Sequence, residues 1–159
     1  MNLIKVTGKF EFDPPNMTKK HVNQSEWKTT AILQLTDNDI CAYYAWFIKK
    51  RHGLELLRPQ RGPHVTIMAD RTAEIKNWDS VRKKYNGTYI DIKLDLDART
   101  DGKTWWLNVY DKPQLQNIRN EAGLGTPFFG LHMTIGNVWD KHLEHGKYIH
   151  TLYKNNYAY

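Results

Sequence analysis

Two short segments decide the fold of this chain: GPHVTIMA at residues 62–69 and LHMTIGNV at residues 131–138. Each contains a His-x-Thr tetrad whose second and fourth residues are apolar. Because successive side chains of a strand point to opposite faces, His64 and Thr66 share one face, and the apolar residues share the other. The second segment repeats this arrangement. The pattern predicts two strands that each cover a core on one face and line a wet cleft on the other.

A helix and a Gly/Pro loop precede each tetrad. The first helix begins at a cap, Thr36 or Asp37, and runs to about His52, with Gly53 as its stop. Its apolar spacing predicts a buried face, made of Ile40, Tyr43, Tyr44, Phe47 and Ile48. The second helix is opened by Pro113 and runs to about Ala122. This repeated unit of helix, loop and strand predicts two similar lobes that face each other.

The other segments complete an α+β fold. Alternation and turn signals predict strands over residues 3–12, 27–35, 89–96 and 105–111, and a helix over residues 78–85. The Asp101-Gly102 pair predicts an antiparallel hairpin, which favours α+β over a doubly wound sheet. We expect one two-lobed domain over residues 1–159, with antiparallel sheets flanking a central cleft and helices outside. Residues 1–26 form an N-terminal extension, and residues 139–159 form either a lid or a plain closing element.

Composition sets the broad class. The chain has 159 residues and a net charge of +6, which favours anionic ligands but also fits an ordinary solvated surface. Six Trp and nine Tyr offer stacking platforms for nucleobases. No apolar run is long enough to cross a membrane, and the N-terminus predicts no secretory signal. Cys41, the single cysteine, is expected in the core, so a reducing, cytoplasmic setting is the natural interpretation.

The paired tetrads suggest acid–base chemistry. Imidazole has an ordinary pKa near 6.5, so one histidine can be neutral while the other is protonated. His64 and His132 could therefore act on the attacking and leaving oxygens of a phosphodiester, in an order that symmetry leaves open. Thr66 and Thr134 could donate hydrogen bonds to the charged phosphate oxygens. Two surface strands with unremarkable polar residues are the alternative.

These tetrads resemble those of the two-histidine (2H) phosphoesterase superfamily over about residues 27–138, and the overall layout is similar to the phage anti-CBASS proteins. The resemblance implies a metal-independent hydrolase that opens cyclic oligonucleotides such as 3′,3′-cyclic GMP-AMP, in the cytoplasm of an infected bacterium. It implies a ribose 2′-hydroxyl nucleophile. We expect no cofactor and no membrane association, and the sequence implies no protein partner. Action on 2′,3′-cyclic phosphate or 2′,5′-linked RNA, and a non-catalytic cyclic nucleotide sponge, are the alternatives.

Six further residues are candidates for substrate binding. Alternation places Trp106 and Tyr110 on the cleft side of their strand, opposite Leu107 and Val109, if this sheet carries the histidines. The basic candidates are Lys93 and Arg61, and the tail contributes Trp139 and Tyr148. The alternative for Trp106 is packing in the core between the lobes. The alternative for Lys93 and Arg61 is an ordinary solvated position on the surface. No metal site is expected, because His142, Glu144 and His145 lack a recognised zinc spacing and a third ligand is not indicated.

Overall fold

The computed structural model describes residues 1–14, 29–37, 39–59, 61–69, 75–110, 113–127 and 130–154. Within them the chain forms eight strands and four α-helices. The strands are β1 (Leu3–Phe12), β2 (Thr30–Leu35), β3 (Leu56–Leu57), β4 (His64–Ala69), β5 (Tyr89–Asp95), β6 (Arg99–Thr100), β7 (Thr104–Tyr110) and β8 (His132–Val138). The helices are α1 (Asp39–His52), α2 (Trp78–Tyr85), α3 (Pro113–Glu121) and α4 (Leu143–Lys154), the last preceded by a short 3-10 helix, Asp140–His142.

All eight strands belong to one antiparallel sheet, in the order β3-β8-β4-β2-β1-β5-β7-β6. An additional pairing joins β7 to β8, so β8, β4, β2, β1, β5 and β7 close into a six-stranded barrel. The short strands β3 and β6 extend it at β8 and β7. The α+β class and the antiparallel pairing predicted from the sequence are therefore confirmed.

The sheet differs from the arrangement that two lobes suggest. The strands form one continuous sheet where the sequence led us to expect two, and the two His-x-Thr strands, β4 and β8, are neighbours in it. Strand β1, which the sequence assigned to an N-terminal extension, pairs with β2 on one edge and with β5 on the other. It is a full member of the barrel, because its alternating apolar residues are needed for the same core.

Alternation separates a core face from a polar face along these strands. On β7, Trp105, Leu107 and Val109 are buried, while the residues between them are half-buried. The core face packs with apolar residues of all four helices. Full burial of a side chain such as Leu107 stabilises the fold by about 1.5–3 kcal/mol. The opposite face can therefore keep polar side chains without loss of the core.

Helix α1 begins where the sequence predicted, because the Asp37 carboxylate accepts a hydrogen bond from the backbone N–H of Asp39, at 2.9 Å. Its buried face is shifted from the predicted one. Tyr43 was expected in the core but is 57% exposed, so that prediction is wrong. Cys41 occupies the buried face, as expected for this cysteine, and its thiol donates to the backbone carbonyl of Thr134 on β8.

The tail forms helix α4, which packs on the β6–β7 turn. A close approach of two glycines allows this packing: a Cβ at Gly146 would lie 2.5 Å from the carbonyl oxygen of Gly102. Gly102 itself has a φ of 94°, a conformation that glycine adopts without strain. Residues 155–159 and 15–28, which include part of the predicted strand 27–35, lie outside the described residues. Among the described helices, none is long and apolar enough to cross a membrane.

Candidate active site

The fold brings the two tetrads together on neighbouring strands. Val65 of β4 is paired with Met133 of β8 in antiparallel register. The residues on either side of this pair share the opposite, polar face, so His64 lies beside Thr134 and Thr66 lies beside His132. Directly opposed residues have Cβ atoms about 5 Å apart, and diagonal ones about 7–8 Å. The two histidines are diagonal neighbours, at a spacing that admits one phosphate between the imidazoles.

Both imidazoles are held by the same contact. The Nδ1 atom of His64 lies 2.9 Å from the carbonyl oxygen of Gly62, and the Nδ1 atom of His132 lies 2.8 Å from that of Gly130. A carbonyl oxygen only accepts, so each Nδ1 carries the proton and donates. In the neutral ring Nε2 is then the basic nitrogen. The two histidines have the same tautomer, set by the carbonyl two residues earlier in the chain.

The loop before His64 is fixed by Gln34 of β2. Gln34 is paired with His64 in the sheet. Its side-chain amide donates to the backbone carbonyls of Arg61, at 2.9 Å, and Pro63, at 3.0 Å. These carbonyls flank Gly62, whose own carbonyl orients the imidazole. Gln34 was not predicted from the sequence, because its role depends on a β2–β4 pairing that local patterns do not reveal.

The electrostatic setting of His64 favours its neutral form. Burial lowers the pKa of His64 below its ordinary value, and the charges of Arg61 and His132 lower it further. The hydrogen bond to Gly62 and the charge of Glu11 act in the opposite direction. Arg61 donates to the Glu11 carboxylate at 2.8 Å, with both side chains largely covered. The hydrogen bond of His132 to Gly130, by contrast, is exposed.

Strand β7 continues the polar face beside β8. Trp106 is paired with Thr134, and Asn108 is paired with His132. The Trp106 ring centroid lies 6.1 Å from that of His132. The Asn108 side-chain oxygen accepts a hydrogen bond from the indole N–H of Trp106 at 3.0 Å, which orients the indole. The structure therefore brings Trp106 beside the His-x-Thr strand β8, on the face that alternation predicted.

A pocket of about 760 Å³ opens beside His132. Its floor comes from β6, β7 and β8, and one wall comes from α4. The volume lies within the range typical of small-molecule sites. The lining residues are Arg99, Thr100, Asp101, Thr104, Trp106, Asn108, Gly130, His132, His150, Tyr153 and Lys154. His64 is not among them, so the pocket extends away from the histidine pair on the His132 side.

The other predicted binding residues lie outside this pocket. Lys93 and Tyr110 are paired on β5 and β7, both exposed, and Lys93 borders a smaller cavity with Lys5 and Asp91. Trp139 and Tyr148 are exposed. Arg61 lies near His64 and is bonded to Glu11. None of these five aromatic and basic residues is among those that line the pocket.

The histidines of the tail have separate partners. His142 accepts from the backbone N–H of Glu55 through Nδ1, and Nε2 of His145 lies 2.6 Å from the backbone carbonyl of His52. Glu144 is paired with Lys147. Within the described residues, no group of three or more His, Cys, Asp or Glu side chains is arranged to hold a metal ion.

Several pocket residues were missed by sequence reasoning. Arg99 lies on a two-residue strand, too short for any periodic signal. His150 and Tyr153 lie on α4, where the i, i+3, i+4 spacing of Ile149, Leu152 and Tyr153 was the available signal. Comparison with known proteins adds no assignment: no protein-family model, no curated protein and no solved structure matches this chain.

Proposed function

We propose that this chain is a metal-independent phosphodiesterase of the two-histidine type, which opens cyclic di- or oligonucleotides such as 3′,3′-cyclic GMP-AMP. The observation that carries the proposal is the pairing of the two tetrads. Two imidazoles with the same tautomer and two threonine hydroxyls lie on the same face of adjacent strands, with the histidines at diagonal positions. Membership of the 2H phosphoesterase superfamily and a role in phage evasion of CBASS immunity are part of the same proposal.

The first chemical step follows from the different settings of the two histidines. The 2′-hydroxyl of the ribose attacks the adjacent phosphorus, and its proton passes to Nε2 of His64. The lowered pKa of His64 supports this role, because a general base must be neutral before it reacts. The phosphorus–O5′ bond breaks, and protonated His132 gives its Nε2 proton to the leaving O5′. The products are a 2′,3′-cyclic phosphate and a free 5′-hydroxyl on one opened chain.

The threonines act on the phosphate itself. Thr66 and Thr134 lie beside His132 and His64 respectively, so their hydroxyls can donate to the two non-bridging oxygens. Negative charge grows on these oxygens in the transition state, and oriented donors stabilise it more than they stabilise the ground state. Water can then open the 2′,3′-cyclic phosphate with the histidine roles reversed: His132 takes the proton of water, and His64 protonates the leaving 2′-oxygen.

The test is turnover of 3′,3′-cyclic GMP-AMP in excess EDTA. We expect linear products, and we expect His64→Ala and His132→Ala each to lower kcat by about 10²–10⁴-fold, the usual worth of general acid–base catalysis. His145→Ala is the matched control, because His145 bonds to the backbone of His52 and lies outside the pocket lining. Full activity of either tetrad variant, or loss of activity on adding EDTA, would contradict the mechanism.

The same assay separates the alternatives. Turnover of RNA with 2′,3′-cyclic phosphate ends or 2′,5′ linkages alone would replace the cyclic substrate by an RNA substrate and keep the histidine chemistry. Intact cyclic dinucleotide recovered from the denatured complex would indicate a sponge. The matching tautomers of two histidines give sequestration no advantage, which is why we favour the enzyme.

A further inference from the structure

The pocket beside His132 makes the two sides of the histidine pair unequal. It extends from His132 towards β6 and α4, and it carries two cationic side chains, Arg99 and Lys154. Neither forms an ion pair with another residue in the described part of the chain. Asp101 also lines the pocket, but its carboxylate accepts hydrogen bonds from the backbone N–H groups of Lys103 and Thr104, at 2.9 and 2.7 Å.

The sheet register gives the position of Arg99 relative to the catalytic strands. Arg99 is paired with Trp106, and Trp106 is paired with Thr134. The three residues therefore form one row across β6, β7 and β8, on the polar face. With neighbouring strands about 4.8 Å apart, the backbone of Arg99 is roughly 10 Å from that of Thr134. An extended arginine side chain spans much of this distance, so its guanidinium can reach a group held over Trp106.

Two aromatic side chains line the pocket, one from the sheet and one from α4. Trp106 belongs to the floor, and Tyr153 belongs to the α4 wall. The Tyr153 hydroxyl is 2.8 Å from Nε2 of His52, and its ring packs edge-on against Trp105 at 5.1 Å. These contacts hold Tyr153 in place. A pocket whose lining is mostly apolar and includes two aromatic rings suits a nucleobase, since stacking accepts any base.

We propose that Arg99, with Lys154, forms a second phosphate subsite, one nucleoside away from the phosphate between His64 and His132. The subsite rests on the proposed function for the position of the scissile phosphate. The favoured ligand then carries a base over Trp106 and a second phosphodiester beyond it, as a cyclic dinucleotide does. Arginine suits this role because its planar guanidinium binds phosphate oxygens in a bidentate manner.

The experiment compares ligands with one and two phosphates. The probes are non-hydrolysable phosphorothioates of 3′,3′-cyclic GMP-AMP and of the dinucleoside monophosphate ApG, with affinity measured by calorimetry. Arg99→Gln should weaken binding of the two-phosphate probe by about ten- to a hundredfold, as expected for loss of a charged hydrogen bond. Its effect on ApG should be less than threefold.

Lys103→Gln is the matched control, because it removes one positive charge from the turn that follows β6, and Lys103 does not line the pocket. It should leave both affinities nearly unchanged. If Arg99→Gln and Lys103→Gln weaken binding of the two-phosphate probe equally, the effect comes from overall charge and the subsite is refuted. Equal weakening of both probes by Arg99→Gln would also overturn it, as would failure of the wild type to bind the two-phosphate probe.

Turnover data keep this proposal separate from the proposed function. If the wild type opens 3′,3′-cyclic GMP-AMP but Arg99→Gln leaves the ratio of the two affinities unchanged, the phosphodiesterase stands and the subsite is refuted. If the affinity ratio changes as expected but the wild type turns nothing over, the subsite stands and the phosphodiesterase is refuted. A linear dinucleotide with an added 5′-phosphate that binds as tightly as the cyclic probe would show that the subsite recognises the second phosphate and not the ring.

Discussion

Gln34→Glu is an isosteric substitution that tests how the cleft orients and tunes His64. The wild-type amide donates two hydrogen bonds, to the carbonyls of Arg61 and Pro63. A carboxylate cannot donate, so both bonds are lost and two carbonyls face a negative charge. Each neutral hydrogen bond contributes about 1 kcal/mol, so the loop that orients His64 should lose roughly 2 kcal/mol or more of stabilisation.

The same substitution places a negative charge beside the imidazole. Gln34 and His64 are directly paired, so the charges would lie roughly 6 Å apart. Coulomb's law then gives about 0.7 kcal/mol in a water-like dielectric and about 2.8 kcal/mol at an effective dielectric constant of 20. The pKa of His64 should therefore rise by about 0.5–2 units. Because neutral His64 is the proposed base, the acid limb of kcat/KM should move to higher pH by the same amount.

The assay is the pH profile of kcat/KM on 3′,3′-cyclic GMP-AMP for the wild type, Gln34→Glu and Gln114→Glu. Gln114 lies exposed on α3, so its variant matches the charge change without reaching His64. A thermal unfolding curve recorded with each variant separates loss of folded protein from loss of activity. Coincident acid limbs for Gln34→Glu and the wild type would refute the proposed tuning of His64 by its neighbours.

Three further outcomes test the fold around the site. Gly146→Ala should lower the free energy of unfolding by about 1–3 kcal/mol, because the new Cβ would meet Gly102, and this clash outweighs the preference of alanine for helix. Gly125→Ala is the control, because open space surrounds Gly125, and it should cause no such loss. A Gly146→Ala variant more stable than the wild type would contradict the packing of α4. Burial raises the pKa of Cys41 to about 11, so iodoacetamide at pH 8 should alkylate this thiol only after the chain is unfolded in urea, as detected by mass spectrometry. Rapid alkylation of the folded protein would contradict this burial. Burial lowers the pKa of His52 to about 4, so between about pH 6.5 and 4 the unfolded chain binds a proton that the folded chain does not. The melting temperature should fall as the pH is lowered through that window, and the fall should be smaller in His52→Gln; an unchanged slope would exclude His52 as its source.

The sequence predicted local features of the site well. Strict alternation of polar and apolar residues in both tetrads, and again over Trp105–Tyr110, determined which side chains share a face. Helix α2 and the ends of α1 and α3 followed from caps, glycines and prolines, which act within a few residues. Alternation and capping are local effects of backbone geometry, so one sequence is enough to detect them.

The features that the sequence did not predict depend on long-range pairing. The adjacency of β4 and β8 places His64 beside Thr134, but their positions in the chain are far apart and several registers satisfy the same alternation. Arg99 enters the site only through the pairing of β6 with β7. Helix α4 was missed because glycine at position 146 weakens the helical pattern, while the packing against Gly102 that requires this glycine is tertiary.

The most direct test of the central claim is a crystal structure of the chain with a phosphorothioate of 3′,3′-cyclic GMP-AMP. The account predicts that the Nε2 atoms of His64 and His132 both lie within about 2.6–3.2 Å of oxygen or sulfur atoms around one phosphorus, while both Nδ1 atoms keep their contacts to Gly62 and Gly130. A ligand whose phosphates contact at most one of the two imidazoles would contradict it.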